Sequence, residues 1–89
     1  KEYVILYALE QNPVVGEATF YFTSESEKEF ELKIQDPNMM DLETVKKGKC
    51  TIGGNIIRFD STNLSNGEYY YCLVTDNQKT AKKMSVLNS

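Results

Sequence analysis

Acidic side chains come closer than any other residues of this chain to a catalytic arrangement, and they cluster between positions 25 and 36. Paired carboxylates can act as general acid and base when their environments separate their pKa values. Glu25, Glu27, Glu29 and Glu31 are spaced two apart, among serine, lysine and apolar residues. Side chains with this spacing share one face of a strand. We therefore expect a solvated strand face here and no paired-carboxylate site.

The remaining polar clusters also lack the partners that catalysis needs. The chain has no histidine, so the commonest general base and metal ligand is missing. Asp60 and Ser61 have no base beside them to activate the hydroxyl, and Gly53-Gly54-Asn55 is a turn signal and not a phosphate loop. We expect no enzymatic activity, no cofactor and no metal site.

The two cysteines, Cys50 and Cys72, are too few to hold zinc and are not spaced as a C-x-x-C redox pair. They fit either one disulfide in an oxidising compartment or two buried free thiols. Their number does not decide between these alternatives.

One triplet can carry a covalent modification. Asn63-Leu64-Ser65 fits the acceptor pattern for N-glycosylation. It lies in a polar stretch that we expect to be an exposed corner between two strands, so Asn63 is a candidate glycosylation site if the protein is secreted.

Charge and hydropathy exclude several classes of partner. The net charge is −3, so no dense basic face is available to neutralise nucleic-acid phosphates or anionic lipid. The longest basic cluster, over 78–83, suits a solvated strand or loop. No apolar run approaches the ~20 residues that span a bilayer, and the N-terminal stretch is not a signal peptide. We expect no nucleic-acid binding and no membrane contact by this domain, with any targeting or anchor segment outside it.

The elements that must position these residues are short strands, because the dominant hydrophobic period is two. The predicted strands cover 2–10, 14–25, 29–35, two short pieces within 49–59 joined by a Gly53-Gly54-Asn55 hairpin, 68–75 and 81–88. Residues 39–48 fit either a helical turn or an edge strand. Seven to eight strands with turn signals every 8–12 residues predict one antiparallel β-sandwich domain spanning 1–89.

The stretch 66–72, NGEYYYC, resembles the strand-F pattern of the immunoglobulin superfamily, Asp-x-Gly-x-Tyr-x-Cys. Tyr70 and Cys72 match it, Asn66 stands at the aspartate position, Glu68 stands at the glycine position, and Gly67 falls one place early. Residues 16–22, 32–38 and 55–59 resemble strands B, C and E of the same family. The resemblance implies an I-set or V-like sandwich.

The chain departs from the family in two places. No cysteine stands near Phe22 and no tryptophan near Ile34. The resemblance implies that Phe22, Ile34, Tyr70 and Cys72 form the pin between the sheets by packing. One buried apolar side chain contributes roughly 1.5–3 kcal/mol, against ~2–4 kcal/mol for a disulfide. A Cys50–Cys72 bridge would cross the sheets or lie near one end, and two unbridged thiols remain the alternative.

Alternation along 68–75 then points Tyr69, Tyr71 and Leu73 outward, as a candidate interface on the sheet formed by strands C, F and G. By resemblance we expect an extracellular recognition module of a plasma-membrane receptor that binds another protein. Homophilic binding is one form of this hypothesis, and the missing cysteine and tryptophan make the chain similar to the allorecognition receptors of colonial hydroids. The alternatives are a structural spacer in a tandem array and a secreted viral or parasite decoy.

Overall fold

The structure, a computed structural model, describes residues 3–89. Within this range the chain forms seven β-strands and no helix. The strands are β1 (Ile5–Leu6), β2 (Glu17–Ser24), β3 (Glu29–Gln35), β4 (Asp41–Lys49), β5 (Gly53–Asp60), β6 (Gly67–Thr75) and β7 (Gln78–Val86). The strand predicted over 2–10 begins at Glu2, which lies outside the described residues.

The strands form two sheets that face each other across one core. The three-stranded sheet has the order β1-β2-β5 and the four-stranded sheet the order β4-β3-β6-β7. Every pairing between these strands is antiparallel. This arrangement confirms the prediction of an all-β, immunoglobulin-like sandwich.

The core is built by alternate residues of the strands, as a half-buried sheet requires. In β2 and β3 the burial alternates with the sequence, so Phe20, Phe22, Leu32 and Ile34 are fully buried. β7 contributes buried residues in the same way. The hydrophobic core cluster consists of Val4, Leu6, Val14, Ala18, Phe20, Phe22, Phe30, Leu32, Ile34, Cys50, Ile57, Phe59, Tyr71, Leu73, Met84 and Val86.

The ambiguous segment 39–48 contributes an edge strand and not a helical turn. β4 pairs with β3 only, and its register shifts twice, between Leu32 and Lys33 and again between Ile34 and Gln35. Such irregularities twist an edge strand and discourage further pairing. Most of its side chains are exposed, which explains why they show no clean apolar period.

The predicted hairpin at Gly53-Gly54-Asn55 was wrong. β4 and β5 lie in different sheets, and residues 50–52 connect them across the sandwich. The Asn55 side chain accepts a hydrogen bond from the Thr51 amide (2.9 Å) and donates one to the Thr51 carbonyl (3.0 Å). Gly53 has a φ of 94°, a conformation that glycine adopts without strain. The glycine-rich signal therefore marks a crossing between sheets.

The N-terminal segment changes sheets. After β1 the chain leaves β2, passes a cis Asn12–Pro13 peptide bond, and reaches β7 of the other sheet. There Val14 forms a parallel bridge with Val86: its amide donates to the Ser85 carbonyl (2.8 Å), and the Leu87 amide donates to its carbonyl (2.9 Å). The early departure of β1 leaves part of β2 without a neighbour on that side.

Candidate functional site

The side chains of β6 face the opposite way from the sequence prediction. Tyr71 and Leu73 are each 1% exposed and belong to the core, and Tyr69 packs against it. Tyr70 and Cys72 therefore lie on the outer face of the four-stranded sheet. The expected outward orientation of Tyr69, Tyr71 and Leu73 was wrong, and these residues do not form an exposed stripe.

The reason is that the strand-F pattern fits this chain one residue earlier than the sequence analysis placed it. The Tyr69 hydroxyl donates to the Ser65 carbonyl, 2.6 Å away, which is the tyrosine corner of immunoglobulin-like sandwiches. With Tyr69 at the tyrosine position, Gly67 falls on the glycine position of the family pattern and Tyr71 on the cysteine position. Gly67 has a φ of 151°. The position of Gly67, one residue before the place first assigned to the glycine, was the sequence signal for this alignment.

The pin between the two sheets is aromatic. The ring of Tyr71 lies 5.0 Å from that of Phe20 on the opposite sheet, and Phe22 lies 5.2 Å from Phe30 in the same way. Phe22 and Ile34 occupy the core, and Ile34 is the register partner of Tyr71. Tyr70 and Cys72, the other two expected members of the pin, take no part in it because they face outward.

The Tyr71 hydroxyl also fixes the N-terminal segment. It donates to the Tyr7 carbonyl, 2.9 Å away, just after the end of β1. Burial raises the pKa of Tyr71, and a backbone hydrogen bond from Leu9 partly opposes this shift. The hydroxyl is therefore held protonated where the chain leaves β2.

Both cysteines are free, buried thiols, which corresponds to the second alternative of the sequence analysis and not to a bridge. Cys50 follows β4 in the core, with its Sγ 3.6 Å from the Ser26 carbonyl. Cys72 lies between Lys33 and Ala81 on the outer face of the four-stranded sheet. The sheet itself separates the two thiols. Burial raises the pKa of the Cys72 thiol, which keeps it protonated and unreactive.

The outer face of the four-stranded sheet is polar. The Lys33 ammonium lies 2.9 Å from Asp41, whose other oxygen accepts a hydrogen bond from the Gln35 amide (2.9 Å). The hydrogen bond to Asp41 raises the pKa of Lys33. The bonds from Gln35 and then Lys33 lower the pKa of Asp41. This network gives the face around β3 and the start of β4 a polar character.

Asn63 lies exposed in the turn between β5 and β6, and Ser65 of the acceptor triplet is exposed as well. The geometry leaves the side chain accessible, and glycosylation of Asn63 stays a prediction.

A surface that the sequence analysis did not identify lies on the outer face of the three-stranded sheet. Tyr21 of β2 lies between Tyr7, the residue that follows β1, and Ile56 of β5, and the two tyrosine rings are 5.3 Å apart. Ile5 extends this row, and all four side chains are exposed. The alternation of Tyr21 with buried Phe20 and Phe22 was the available signal.

Beside this row the surface is concave. A groove of about 490 Å³ lies between residues 7–11 and one edge of β2. We call it the β2-edge groove; its lining residues are Tyr7, Ala8, Leu9, Glu10, Gln11, Glu17, Ala18, Thr19, Tyr21 and Ile56. Its walls combine apolar side chains with two glutamates.

Other kinds of site find no support in the part of the chain that the structure describes. Residues 3–89 contain no group of three or more histidine, cysteine or acidic side chains that could hold a metal ion. Over the same range, no helix has the length and apolar character needed to cross a bilayer. The β2-edge groove is therefore the site that we consider further.

Comparisons with known proteins concern the fold. No protein-family model matches the chain, and no curated protein matches it. A solved structure similar to it is that of dimeric latent PorU from Porphyromonas gingivalis, with a TM-score of 0.80 and 24% sequence identity. The match covers 100% of this chain and 10% of that chain. At this identity the similarity shows that the two share a fold.

Proposed function

We propose that this chain is an extracellular protein-recognition module of immunoglobulin type, carried within a longer surface protein. The observation that supports the proposal best is the exposed row of Tyr7, Tyr21, Ile56 and Ile5 on the three-stranded sheet. Aromatic and aliphatic side chains that adjoin a groove on a rigid sheet form the kind of anchor that dominates protein interfaces. Recognition of this kind requires a complementary surface and no catalysed reaction.

The recognition surface proposed here differs from the one that the sequence suggested. Tyr71 and Leu73 are core residues, so the sheet of β3, β6 and β7 offers mainly the polar network around Asp41. The hypothesis of homophilic binding placed the contact on that sheet, whereas the similarity to hydroid allorecognition receptors was based on the missing cysteine and tryptophan. We therefore propose a different protein as the partner, bound through the three-stranded sheet.

The similarity to PorU supports the modular part of the proposal. In that protein a region of this fold amounts to a tenth of the chain. A domain of 89 residues without a described catalytic cluster suits the same arrangement, in which neighbouring domains carry other functions and this domain provides a contact surface.

A spacer is the second candidate, because the two ends of the domain lie far apart. The Val4 amide is bonded to Gln78 at the β6–β7 turn, whereas Asn88 is bonded to Asn66 at the start of β6. The nine residues of β6 span about 30 Å at ~3.4 Å per residue. Chain entering and leaving at opposite ends suits an in-line array.

Site-specific photocrosslinking distinguishes the two candidates. A photoreactive amino acid would replace Tyr21 in the isolated domain, and Lys47 on the exposed edge strand β4 in a control. We expect Tyr21 to capture one protein from the extracellular fraction of the source cells, in competition with unlabelled domain, and Lys47 to capture none. A domain that captures nothing specific from either position would contradict the proposal and favour the spacer.

A further inference from the structure

The edges of the two sheets differ in how they are protected. The outer strands of the four-stranded sheet, β4 and β7, carry three lysines each, and β4 also has two register shifts. Lysines and bulges are the usual means of keeping an edge strand from pairing with another chain. The first half of β2, Glu17–Phe20, contains no lysine, and its register with β5 is unbroken.

This part of β2 presents unpaired main-chain groups to the β2-edge groove. The Tyr7 amide donates to the Tyr21 carbonyl (3.1 Å), so the main-chain groups of Tyr21 point toward β1. Because these groups alternate in direction along an antiparallel strand, those of Thr19 and Glu17 point the same way. Among the described residues, no backbone hydrogen bond joins 8–11 to β2. The ladder that β1 begins therefore stops halfway along β2.

The shape and charge of the groove indicate what can extend that ladder. Four residues of β2, Glu17–Phe20, span about 13 Å at ~3.3 Å per residue, and the groove beside them has a volume of about 490 Å³. Leu9, Ala18 and Tyr21 give it apolar walls. Its charged lining residues are Glu10 and Glu17. Glu17 also lies 3.9 Å from the Arg58 guanidinium in an exposed ion pair, which a cation of the ligand would have to displace, so Glu10 is the carboxylate without such a neighbour among the lining residues. A strand added at this edge would place every second side chain against the apolar walls. Cationic side chains between them would lie close to the carboxylates.

We propose that the β2-edge groove captures an extended segment of the partner protein by strand addition, and that this segment alternates apolar and basic residues. In strand addition, main-chain hydrogen bonds to an open edge supply affinity and alternate side chains supply specificity. Thr19 and Glu17 provide the main-chain groups, and Glu10 and Glu17 select for lysine or arginine. This inference rests on the proposed recognition function and identifies its ligand class.

The test uses a defined probe, an acetylated and amidated octapeptide of alternating lysine and valine, titrated into the whole domain and followed by amide NMR. We expect shift changes at 8–11 and 17–21 and slower hydrogen exchange of the Thr19 amide. The same peptide with glutamate in place of lysine should bind about tenfold more weakly, because its carboxylates would meet like charges in the groove instead of forming ion pairs.

Three variants separate strand addition from non-specific attraction. Thr19→Pro removes an edge amide that no strand of the domain uses, a place where proline is tolerated, and should weaken peptide binding about tenfold or more. Glu10→Lys combined with Glu17→Lys should weaken it by about tenfold. Glu25→Lys makes the same kind of charge change at an exposed loop residue outside the groove and should change affinity less than about twofold. Thermal unfolding checks that each variant is folded.

The outcomes are distinct. Shift changes elsewhere, unchanged binding by folded Thr19→Pro, or no binding of the peptide would overturn strand addition. Concentration-dependent self-association in sedimentation that the peptide displaces would identify a second copy of the domain as the occupant and overturn the proposed partner. If Tyr21 crosslinks a protein that the peptide does not displace, recognition stands and strand addition fails. If the peptide binds as expected and no protein is captured, the proposed function fails instead.

Discussion

At the scale of single residues, three consecutive tyrosines of β6 have three different environments. Tyr69 packs against the core and donates its hydroxyl to Ser65, and Tyr71 is fully buried and donates to Tyr7. Tyr70 lies on the outer face between them, and among residues 3–89 its hydroxyl has no hydrogen-bond partner. Because the three side chains are identical, the contribution of each hydroxyl hydrogen bond to stability can be compared within one strand.

Tyrosine-to-phenylalanine substitution measures those bonds. We expect Tyr69→Phe and Tyr71→Phe each to lower the free energy of unfolding by about 1 kcal/mol, the usual net value of a hydrogen bond. Tyr70→Phe is the matched control and should change it by less than about 0.5 kcal/mol. Urea denaturation of the three variants provides the measurement. Equal losses in all three would contradict the orientation of β6 described above.

The free thiols lead to a second prediction at this scale. Because Cys50 and Cys72 are unbridged, reductant should leave the melting temperature of the domain unchanged. Both thiols should resist alkylation by iodoacetamide in the native state and react once the domain is unfolded, since burial excludes the reagent and the raised pKa of Cys72 disfavours its thiolate. A melting temperature that falls on reduction would show that a disulfide forms.

At the scale of elements, the pairing of β1, β2 and β5 creates the exposed aromatic row. Tyr21 stands directly opposite Ile56, and the Tyr21 ring leans over Gly54, which pairs with Thr23 two positions along the ladder. A Cβ added at Gly54 would lie 2.7 Å from the Tyr21 hydroxyl oxygen. The missing side chain at position 54 thus allows Tyr21 to lie flat on the sheet and form one wall of the groove.

Gly54→Ala should therefore reshape the groove at little cost in stability. The far end of the exposed Tyr21 ring can move aside, so we expect a loss of less than about 1 kcal/mol, with clear shifts of the Tyr7 and Tyr21 ring protons in NMR and weaker binding of the lysine–valine peptide. Gly48→Ala on β4 is the control, because a Cβ there meets no atom within 4 Å. Unchanged ring shifts in Gly54→Ala would contradict the close contact.

At the scale of the whole molecule, ionisable groups define a pH range of stability. Burial raises the pKa of Tyr71 and of Cys72 above their ordinary values of 10.0 and 9.0. In the unfolded chain these protons leave near the ordinary values, while the folded protein retains them. The stabilisation is therefore complete below pH 9.0 and is lost as the pH rises through the raised values.

The unfolding free energy should accordingly decline above pH 9.0, and Tyr71→Phe and Cys72→Ala should each flatten the decline. Asp41 and Asp60 affect stability at acid pH. Hydrogen bonds lower the pKa of both carboxyls; the main donor is Gln35 for Asp41 and the Thr62 amide for Asp60. Their contribution to the free energy of unfolding is present above pH 3.8 and is lost as the pH falls through the lowered pKa values. Urea midpoints across the pH range measure both limbs; an alkaline slope that neither variant changes would contradict the assignment.

The sequence predicted those parts of the fold in which a strand alternates cleanly. β2, β3 and β7 show this period, and alternate residues along them, such as Phe20, Ile34 and Met84, are buried. β6 has apolar residues on both faces from Tyr69 to Val74, so alternation does not show which face is buried. The position of Gly67 was the signal for its orientation. The groove could not be predicted, because it arises where β1 leaves β2 after two residues.

The separation of the chain ends has a mechanical consequence. Force applied between residues 3 and 89 would pull the N-terminal segment toward one end of the sandwich and the end of β7 toward the other. The two hydrogen bonds that join Val14 to Ser85 and Leu87 lie across that direction and would be loaded together in shear. The short parallel contact between Val14 and β7 is thus a mechanical clamp, positioned to resist extension of the domain under tension.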